Sequence, residues 1–420
     1  MESIHDFAQE IQWRVSGFTT FLTRHGFSRP EVKNIGCLMQ GMLKRHDVHV
    51  SVLSRSLGEG IAPRKTEERL HRNLRREGLG ERLLEANMRW NAGSIRCKRF
   101  CVIDVSDIQK EYAEQMEGLS RVRDGDKSRE GGPVIGNGLY WINGVMVDKA
   151  EILPVYSEIY GLDYEGRDHA SENSKILAIT ERVHAEHSEA IYVLDRGGDR
   201  SKIITPLIES RKRFVIRCQN QRSLALHRDS TRKTNIREIA RKTRTQHAYK
   251  SMRNGEWFDV GIKRVYYEGT ALWLVVSKRR RGGLSWYLTN VEGTRHEIMD
   301  TVMEGYGLRW RVEEYHRQIK QDYGLESLCL RKYHAIKNMG VLVALAASFC
   351  ARLPEQLVIR MVAAAHLLPR RRLSDIPNYP LYMIVAAVAL ILETAVKRRY
   401  NPLRIRKRDH FQLKLDFITA

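Results

Sequence analysis

Residues 306–320, YGLRWRVEEYHRQIK, place four side chains of different chemistry at intervals of three, four and seven residues. These four are Tyr306, Arg309, Glu313 and Lys320. On a continuous helix of 3.6 residues per turn, all four positions fall on one narrow face, with Trp310 and Arg317 beside them. The spacing therefore predicts one helical face that carries a single carboxylate among cations, a phenol and an indole.

The chemistry of this face favours a site for metal and phosphate. A solvated amphipathic helix with an ion pair such as Glu313–Arg317 is the simpler alternative. A solvated face, however, gives no reason to place a tyrosine and a tryptophan among the charges. One carboxylate among cations suits a site where the acid helps to hold a divalent ion and the cations hold phosphate oxygens.

Two further acids follow apolar segments that predict buried strands. Asp104 lies in VIDVSD and Asp195 lies in VLDRGGD. A single acid at the end of a strand is often only a cap or a turn former. Two such acids and a helical glutamate make a three-carboxylate site the better explanation, because Mg²⁺ binds carboxylates, water and phosphate. Asp107 lies three residues beyond Asp104 and competes with it as the first ligand.

The elements around these residues divide the chain by pattern. Residues 1 to about 95 are predicted to be helical, with breaks at 25–30 and 58–65. The helix after the second break has Thr66 as its N-cap, packs through Leu70 and Leu74 and exposes a basic face. A solvated basic face and a helix-turn-helix-like DNA contact are equally supported. The exposed cations of this face are Arg69, Arg72, Arg75 and Arg76.

Strand and helix patterns alternate from residue 99 to about 218 and predict an α/β domain. In that stretch, Asn143-Gly144 predicts the turn of a hairpin. Residues 219–295 are basic and rich in strand patterns, which indicates an inserted β segment. After residue 333 the pattern is apolar and helical, and the run at 381–392 is too short to span a bilayer and is predicted to be a buried helix.

Composition indicates a partner of opposite charge. Lysine and arginine number 71 against 50 acidic residues, a formal net charge of +21. This excess favours nucleic acid over the alternatives of a generally basic protein or a membrane-surface binder. The six cysteines form no CxxC pair and are predicted to be buried thiols in a reducing compartment. The N-terminus lacks the layout of a signal peptide, so a cytoplasmic location is expected.

These segments resemble a known family. The stretch YGLRWRVEEYHRQIK matches the Y-(2)-R-(3)-E-(6)-K signature of the insertion-sequence 4 (IS4) family of bacterial DDE transposases. VIDVSDI resembles the first-Asp strand of that family, and YVLDRGGDR resembles its second-Asp strand. LPVYSEIYGLDYEGRDHASEN and APRKTEERLHRNL are also similar, so that the resemblance extends over about residues 45–335.

The resemblance implies an α/β fold with an RNase H-like catalytic core. It implies that Asp104, Asp195 and Glu313 are catalytic metal ligands for two Mg²⁺ ions, which Mn²⁺ can replace. Tyr306, Arg309 and Lys320 would hold DNA phosphates near the cleaved end. Arg317 is a further phosphate contact expected from its place on the same face. Trp310, Trp286 and Trp273 are candidates for stacking a flipped base, against the simpler alternative of core packing.

The implied organisation has five parts. They are a helical DNA-binding domain (1–95), the first part of the core (96–218), a β-rich insertion (219–295), the core helix with the glutamate (296–335) and a helical C-terminal region (336–420). The implied function is cut-and-paste transposition by a homodimer, with inverted-repeat ends and target DNA as double-stranded partners, in the bacterial nucleoid and with no membrane partner. An RNase H-like nuclease and a catalytically silent DNA-binding descendant are the alternatives.

Overall fold

The structure is a computed structural model of the 420-residue chain. It describes residues 4–124, 134–149, 151–162, 171–252, 254–279, 282–364 and 381–399.

The N-terminal part is helical, as the sequence predicts. Its helices are α1 (Ile4–Arg24), α2 (Arg29–Arg45), α3 (Val50–Leu57), α4 (Pro63–Leu74) and α5 (Leu79–Arg96). In α1, Phe7, Ile11 and Phe18 are buried at helical spacing, which produces one apolar stripe facing the other helices. Helix α2 begins with a capping box between Ser28 and Glu31.

The predicted start of α4 is wrong. The helix begins at Pro63, and Thr66 lies inside it, buried, with its hydroxyl donating to Glu59 at 2.6 Å. Proline is favoured in the first turn of a helix because its missing N–H has no partner there. Leu70 and Leu74 are fully buried, which confirms the predicted packing face.

A mixed β-sheet forms the centre of the molecule. Its core strands and helices are β1 (Phe100–Gln109), β2 (Ser120–Asp124), β3 (Val134–Asp148), β4 (Glu151–Tyr160), α6 (Glu172–Glu186), β5 (Ile191–Leu194), α7 (Ser201–Glu209) and β6 (Arg213–Arg217). Strands β4, β3 and β1 are antiparallel neighbours, whereas β1, β5 and β6 are parallel. The resulting order β4-β3-β1-β5-β6 places an antiparallel half beside a parallel half, with β1 common to both.

The hairpin predicted at Asn143-Gly144 is wrong. Strand β3 continues through both residues, and the chain reverses between Asp148 and Glu151. Gly144 has another role: a Cβ there would lie 2.7 Å from the Ile179 side chain on α6. The glycine therefore permits the close approach of a helix to the sheet, which a sequence pattern does not distinguish from a turn.

The β-rich segment extends the same sheet. It contains β7 (Ser223–Ala225), β8 (Lys233–Asn235), α8 (Ile236–Lys242), β9 (His247–Lys250), β10 (Trp257–Tyr267), β11 (Thr270–Arg279) and β12 (Leu284–Thr289). Strand β12 pairs with β6 in antiparallel register, with Leu288 opposite Ile216. The prediction that residues 219–295 are rich in strands is therefore confirmed.

The remaining elements described here are helices. They are α9 (Arg295–Leu308), α10 (Trp310–Gln321), α11 (Tyr333–Ala351), α12 (Glu355–Ala364) and α13 (Leu381–Arg399). Helix α11 packs on β4 and α5, and α13 packs on α1 and α2. In the described part of the chain, α11 alone is long and apolar enough to cross a membrane, but 78% of that window is buried inside the protein.

Candidate active site

Two of the predicted acids lie side by side because their strands are parallel neighbours. The register aligns Val102 of β1 with Val193 of β5, each of which precedes an acid by two residues. Asp104 lies within β1, and Asp195 follows the last residue of β5. Continued by two residues, this parallel register places Asp195, just beyond β5, level with Asp104 on β1.

The segment DRGGD holds Asp195 in place. The Asp195 carboxylate caps a 3-10 helix (Arg196–Gly198) and accepts a hydrogen bond from the amide of Gly197 at 2.7 Å. A Cβ at Gly198 would lie 2.5 Å from the Cβ of Leu194. Glycine is therefore required for this tight turn, and the turn in turn fixes the position of the acid.

Glu313 comes to the same place from α10. Val312 and Ile319 are buried and anchor this helix, while Glu313 is half-exposed. Glu313 pairs with the guanidinium of Arg309, whose Nη1 is also 3.6 Å from Oδ2 of Asp104. Arg309 thus lies between the carboxylate of the strand and that of the helix.

The electrostatics of Asp104 show that the three acids influence one another. Burial raises the pKa of Asp104 from 3.8 to about 7; Arg309 opposes this rise, and the negative charges of Asp195 and Glu313 add to it. Three carboxylates thus act on one another here, and Arg309 pairs with two of them, Asp104 and Glu313. Such a group of carboxylates attracts a divalent cation.

Asp107 lies on the other face of β1. Side chains alternate along a strand, so positions 104 and 107 point in opposite directions. Asp107 accepts a hydrogen bond from Gln109, whereas Asp104 faces Arg309 and α10. The structure brings Asp104, and not Asp107, to the other two acids.

These acids do not form a preformed metal cage. In the ranges that the structure describes, no three Asp, Glu, His or Cys side chains are grouped closely enough to hold a metal ion. The donor set still fits Mg²⁺, which is usually held by one or two carboxylates, with water and substrate phosphate completing its shell.

The single helix predicted through the motif is wrong. Helix α9 ends at Leu308 and α10 begins at Trp310. The amide of Arg309 donates to the carbonyl of Tyr306, and that of Val312 donates to the carbonyl of Arg309, so this turn is tighter than an α-helical turn. The backbone of Arg309 nevertheless stays right-handed helical (φ −56°, ψ −32°), and its guanidinium contacts both the Tyr306 ring and Glu313, so these three side chains share one face across the break.

The motif side chains also make contacts outside the motif. The Tyr306 hydroxyl accepts a hydrogen bond from Arg217 at 3.2 Å, and its ring packs on Tyr287. Lys320 pairs with Glu326 at 3.1 Å. Arg317 is exposed, and Trp310 is partly buried with the Arg311 guanidinium over its ring.

Sequence reasoning missed Arg217 and His316. Arg217 ends β6, the next parallel strand after β5, and its position after an apolar run was the available signal. His316 is buried against Trp141 and lies 3.8 Å from Oδ2 of Asp104. The sequence signal for His316 was weaker, because it consists only of a position on the buried side of α10. Burial lowers the pKa of His316 to about 3, with the charges of Lys320 and Arg309 adding to the effect.

The N-terminal arginines differ in their exposure. Arg72, Arg75 and Arg76 are exposed, although Arg76 also pairs with Glu31 at 3.3 Å. The prediction that Arg69 is exposed is wrong, because its partly buried guanidinium pairs with Glu59 at 2.7 Å. The sequence pattern did not place an acid from the preceding loop against this helix.

Two other predicted groups have mixed outcomes. Trp286 is buried, whereas Trp273 is partly buried beneath the guanidinium of Arg264. Among the cysteines, Cys97 and Cys329 are exposed, so the prediction of buried thiols is wrong for these two. The other four are buried, namely Cys37, Cys101, Cys218 and Cys350.

Comparison with known protein families indicates the class of protein to which this fold and site correspond. Residues 156–349 match the family model described as a transposase DDE domain. The matched segment starts within β4 and ends within α11, so it includes Asp195 and Glu313. No curated protein matches the chain. The mixed sheet with its helices is consistent with an RNase H-like transposase domain, and the match supports a DDE transposase. Such domains generally use divalent metal ions and act on DNA.

Proposed function

We propose that this protein is a DDE transposase of the IS4 type. It would cut an insertion sequence from DNA at its inverted-repeat ends and join it to target DNA. The observation that carries the proposal is the convergence of Asp104, Asp195 and Glu313 from two parallel strands and a helix. The raised pKa of Asp104 supports it: burial is the main cause, and the negative charges of Asp195 and Glu313 add to the rise, which a divalent ion beside these carboxylates would oppose.

Asp104, Asp195 and Glu313 would hold two Mg²⁺ ions, for which Mn²⁺ can substitute. When bound, these ions would activate water and then the freed 3′-hydroxyl for in-line attack on phosphodiesters. The carboxylates of the chain would fix the positions of the reacting oxygens. Arg309, which already pairs with Glu313, would be free to hold a phosphate oxygen when other positive charge compensates the acid.

The cations and phenol around the acids would position the DNA strand. Tyr306 offers a hydroxyl that Arg217 orients, and Arg217 adds a positive charge at the same place. Arg317 and Lys320 lie further along α10 and would contact phosphates on that side. Trp310 is a candidate for stacking a flipped base.

DNA end recognition is proposed for the N-terminal helices. Arg72, Arg75 and Arg76 are exposed at and just beyond the end of α4, and cations there would contact the phosphate backbone. The net charge of +21 supports a polyanionic partner. The acting form would be a homodimer that brings two transposon ends together, in the nucleoid of a bacterial cytoplasm.

A cleavage assay on the DNA ends that flank the gene tests the proposal. Asp195→Asn and Glu313→Gln should abolish Mg²⁺-dependent cleavage and leave end binding nearly unchanged, because phosphate contacts dominate affinity. Asp104→Asn should be inactive and Asp107→Asn active. Full cleavage by Asp195→Asn or Glu313→Gln would overturn the metal site. Cleavage without strand joining by the wild type would indicate a nuclease, and end binding without cleavage a silent descendant.

A further inference from the structure

We propose that His316 is a positioning residue for Asp104 and that Asn143 sets the orientation of its imidazole. The inference rests on the proposed function, since it concerns how one of the three carboxylates is held. It assigns a role to two buried polar residues that lie outside the four-residue motif.

The three side chains form a chain of contacts across the sheet. Asn143 on β3 is the register partner of Asp104 on β1. Its amide nitrogen lies 3.1 Å from Nε2 of His316, which comes from α10. On the other side of the ring, Nδ1 of His316 lies 3.8 Å from Oδ2 of Asp104. The imidazole therefore lies between an amide and a carboxylate.

The directions of the hydrogen bonds follow from the chemistry of the two ends. A carboxylate accepts hydrogen bonds, so the ring nitrogen that faces Asp104 is stabilised when it carries the proton. Nε2 is then the acceptor, which matches the amide nitrogen of Asn143 as its neighbour. Asn143 N–H then donates to Nε2, and Nδ1–H is directed towards Asp104 without yet bonding to it. The distance of 3.8 Å is longer than a hydrogen bond, and a movement of less than about 1 Å would close it.

Burial explains why this arrangement would matter. Asn143 has no exposed surface and His316 is 7% exposed, so water does not replace a lost contact. The ring is held against Trp141, with ring centroids 4.8 Å apart. A rigid imidazole next to Asp104 restricts the rotation of the carboxyl group, as outer partners do for metal ligands in general. The other charged groups that influence the ring are the cations Arg309 and Lys320.

Two substitutions of His316 separate positioning from packing. The amide nitrogen of an asparagine side chain occupies nearly the place of Nδ1, whereas that of glutamine occupies nearly the place of Nε2. His316→Asn therefore keeps a donor towards Asp104, and His316→Gln removes it. Asn143→Leu removes the donor that fixes the ring and leaves His316 in place.

The measurement is Mn²⁺ affinity by electron paramagnetic resonance, beside a melting curve and DNA-end binding. His316→Gln and Asn143→Leu should weaken Mn²⁺ binding by about 10-fold or more. His316→Asn should stay within about threefold of the wild type. All variants should bind DNA ends as the wild type does. Equal Mn²⁺ affinity in His316→Gln and the wild type would overturn the inference, and so would equal losses in the Asn and Gln variants.

Glu313→Gln serves as the reference in the same experiment. If it weakens Mn²⁺ binding while His316→Gln does not, the metal site stands and only the positioning role fails. If Glu313→Gln has no effect on Mn²⁺ binding, the proposed function itself fails. A variant that does not fold is recognised by its melting curve, and Asn143→Leu then provides the decisive comparison.

Discussion

Replacing Asp104 with asparagine should stabilise the protein at alkaline pH while it abolishes DNA cleavage. Burial raises the pKa of this carboxyl from 3.8 to about 7. At a pH below both values, the group is protonated in the folded and the unfolded chain. As the pH rises from 3.8 to about 7, the unfolded chain releases the proton first, so the free energy of unfolding decreases. Above pH 7 the carboxyl group is ionised in both states, and the free energy of unfolding is lowered by the full cost of holding this charge in the folded protein.

The size of this cost follows from the shift. About three pKa units correspond to ~4 kcal/mol, at 1.36 kcal/mol for each unit. Asparagine is similar in shape but stays neutral, so it removes the cost of burying a charge. The cost of burying a polar side chain remains. We therefore expect Asp104→Asn to gain about 2–4 kcal/mol at pH 8 in metal-free buffer. The gain should decrease to less than about half at pH 5.

Melting curves at pH 5 and pH 8 in the presence of EDTA measure this effect. The melting temperature should rise at pH 8 by on the order of 5 °C. Asp107→Asn is the matched control, since it removes the same charge from the opposite face of the same strand. Added Mg²⁺ should stabilise the wild type more than Asp104→Asn, because only the wild type keeps the charged ligand. The reasoning is refuted if Asp104→Asn melts no higher than the wild type at pH 8, or if Asp107→Asn gains as much.

Three further predictions concern the turn after β5, Lys320 and the N-terminal arginines. Gly198→Ala should lower both stability and cleavage, because a Cβ at residue 198 would lie 2.5 Å from the Cβ of Leu194, the last residue of β5. Thermal melts followed by circular dichroism and measured cleavage rates check this. Lys320→Ala should change stability by only ~0–1 kcal/mol but reduce single-turnover cleavage on the order of 100-fold. Glu326→Ala, which removes its ion-pair partner, should leave cleavage intact, and equal rates in both variants would exclude phosphate contact by the lysine. The double variant Arg72→Ala with Arg75→Ala should weaken DNA binding. The slope of the logarithm of the binding constant against the logarithm of salt concentration should decrease by about two phosphate contacts. An unchanged slope would place recognition elsewhere.

Much of the fold was accessible from local patterns. The apolar run before Asp104 and the run before Asp195 each predicted a strand, and both strands are present. A short apolar run with β-branched residues, followed by turn-forming residues, favours a buried strand, because a buried helix is usually longer. Asn143-Gly144 shows where local pattern fails, since the glycine serves the packing of α6. A turn and a close approach require the same residue, and only the neighbouring helix distinguishes them.

The site shows the same division. The motif of Tyr306, Arg309, Glu313 and Lys320 was evident from spacing, but the assumption of one regular helix was not correct. The turn at Arg309 is tightened by the bonds that its own backbone makes, and Tyr306 is directed towards Arg217. Arg309 keeps helical backbone angles in this turn, so its guanidinium still contacts both the Tyr306 ring and Glu313.

The sequence by itself determined which residue types are available for the chemistry and the order of the elements that carry them. Alternation along β1 also determined that Asp104 and Asp107 face opposite sides. Only the tertiary structure decided which of these sides is the site, because α10 packs on one face and brings Glu313 and Arg309 to Asp104. The tertiary structure also placed His316 between Asn143 and that acid. Contacts between residues distant in the chain depend on how helices and sheet pack, and the spacing within one segment does not contain that information.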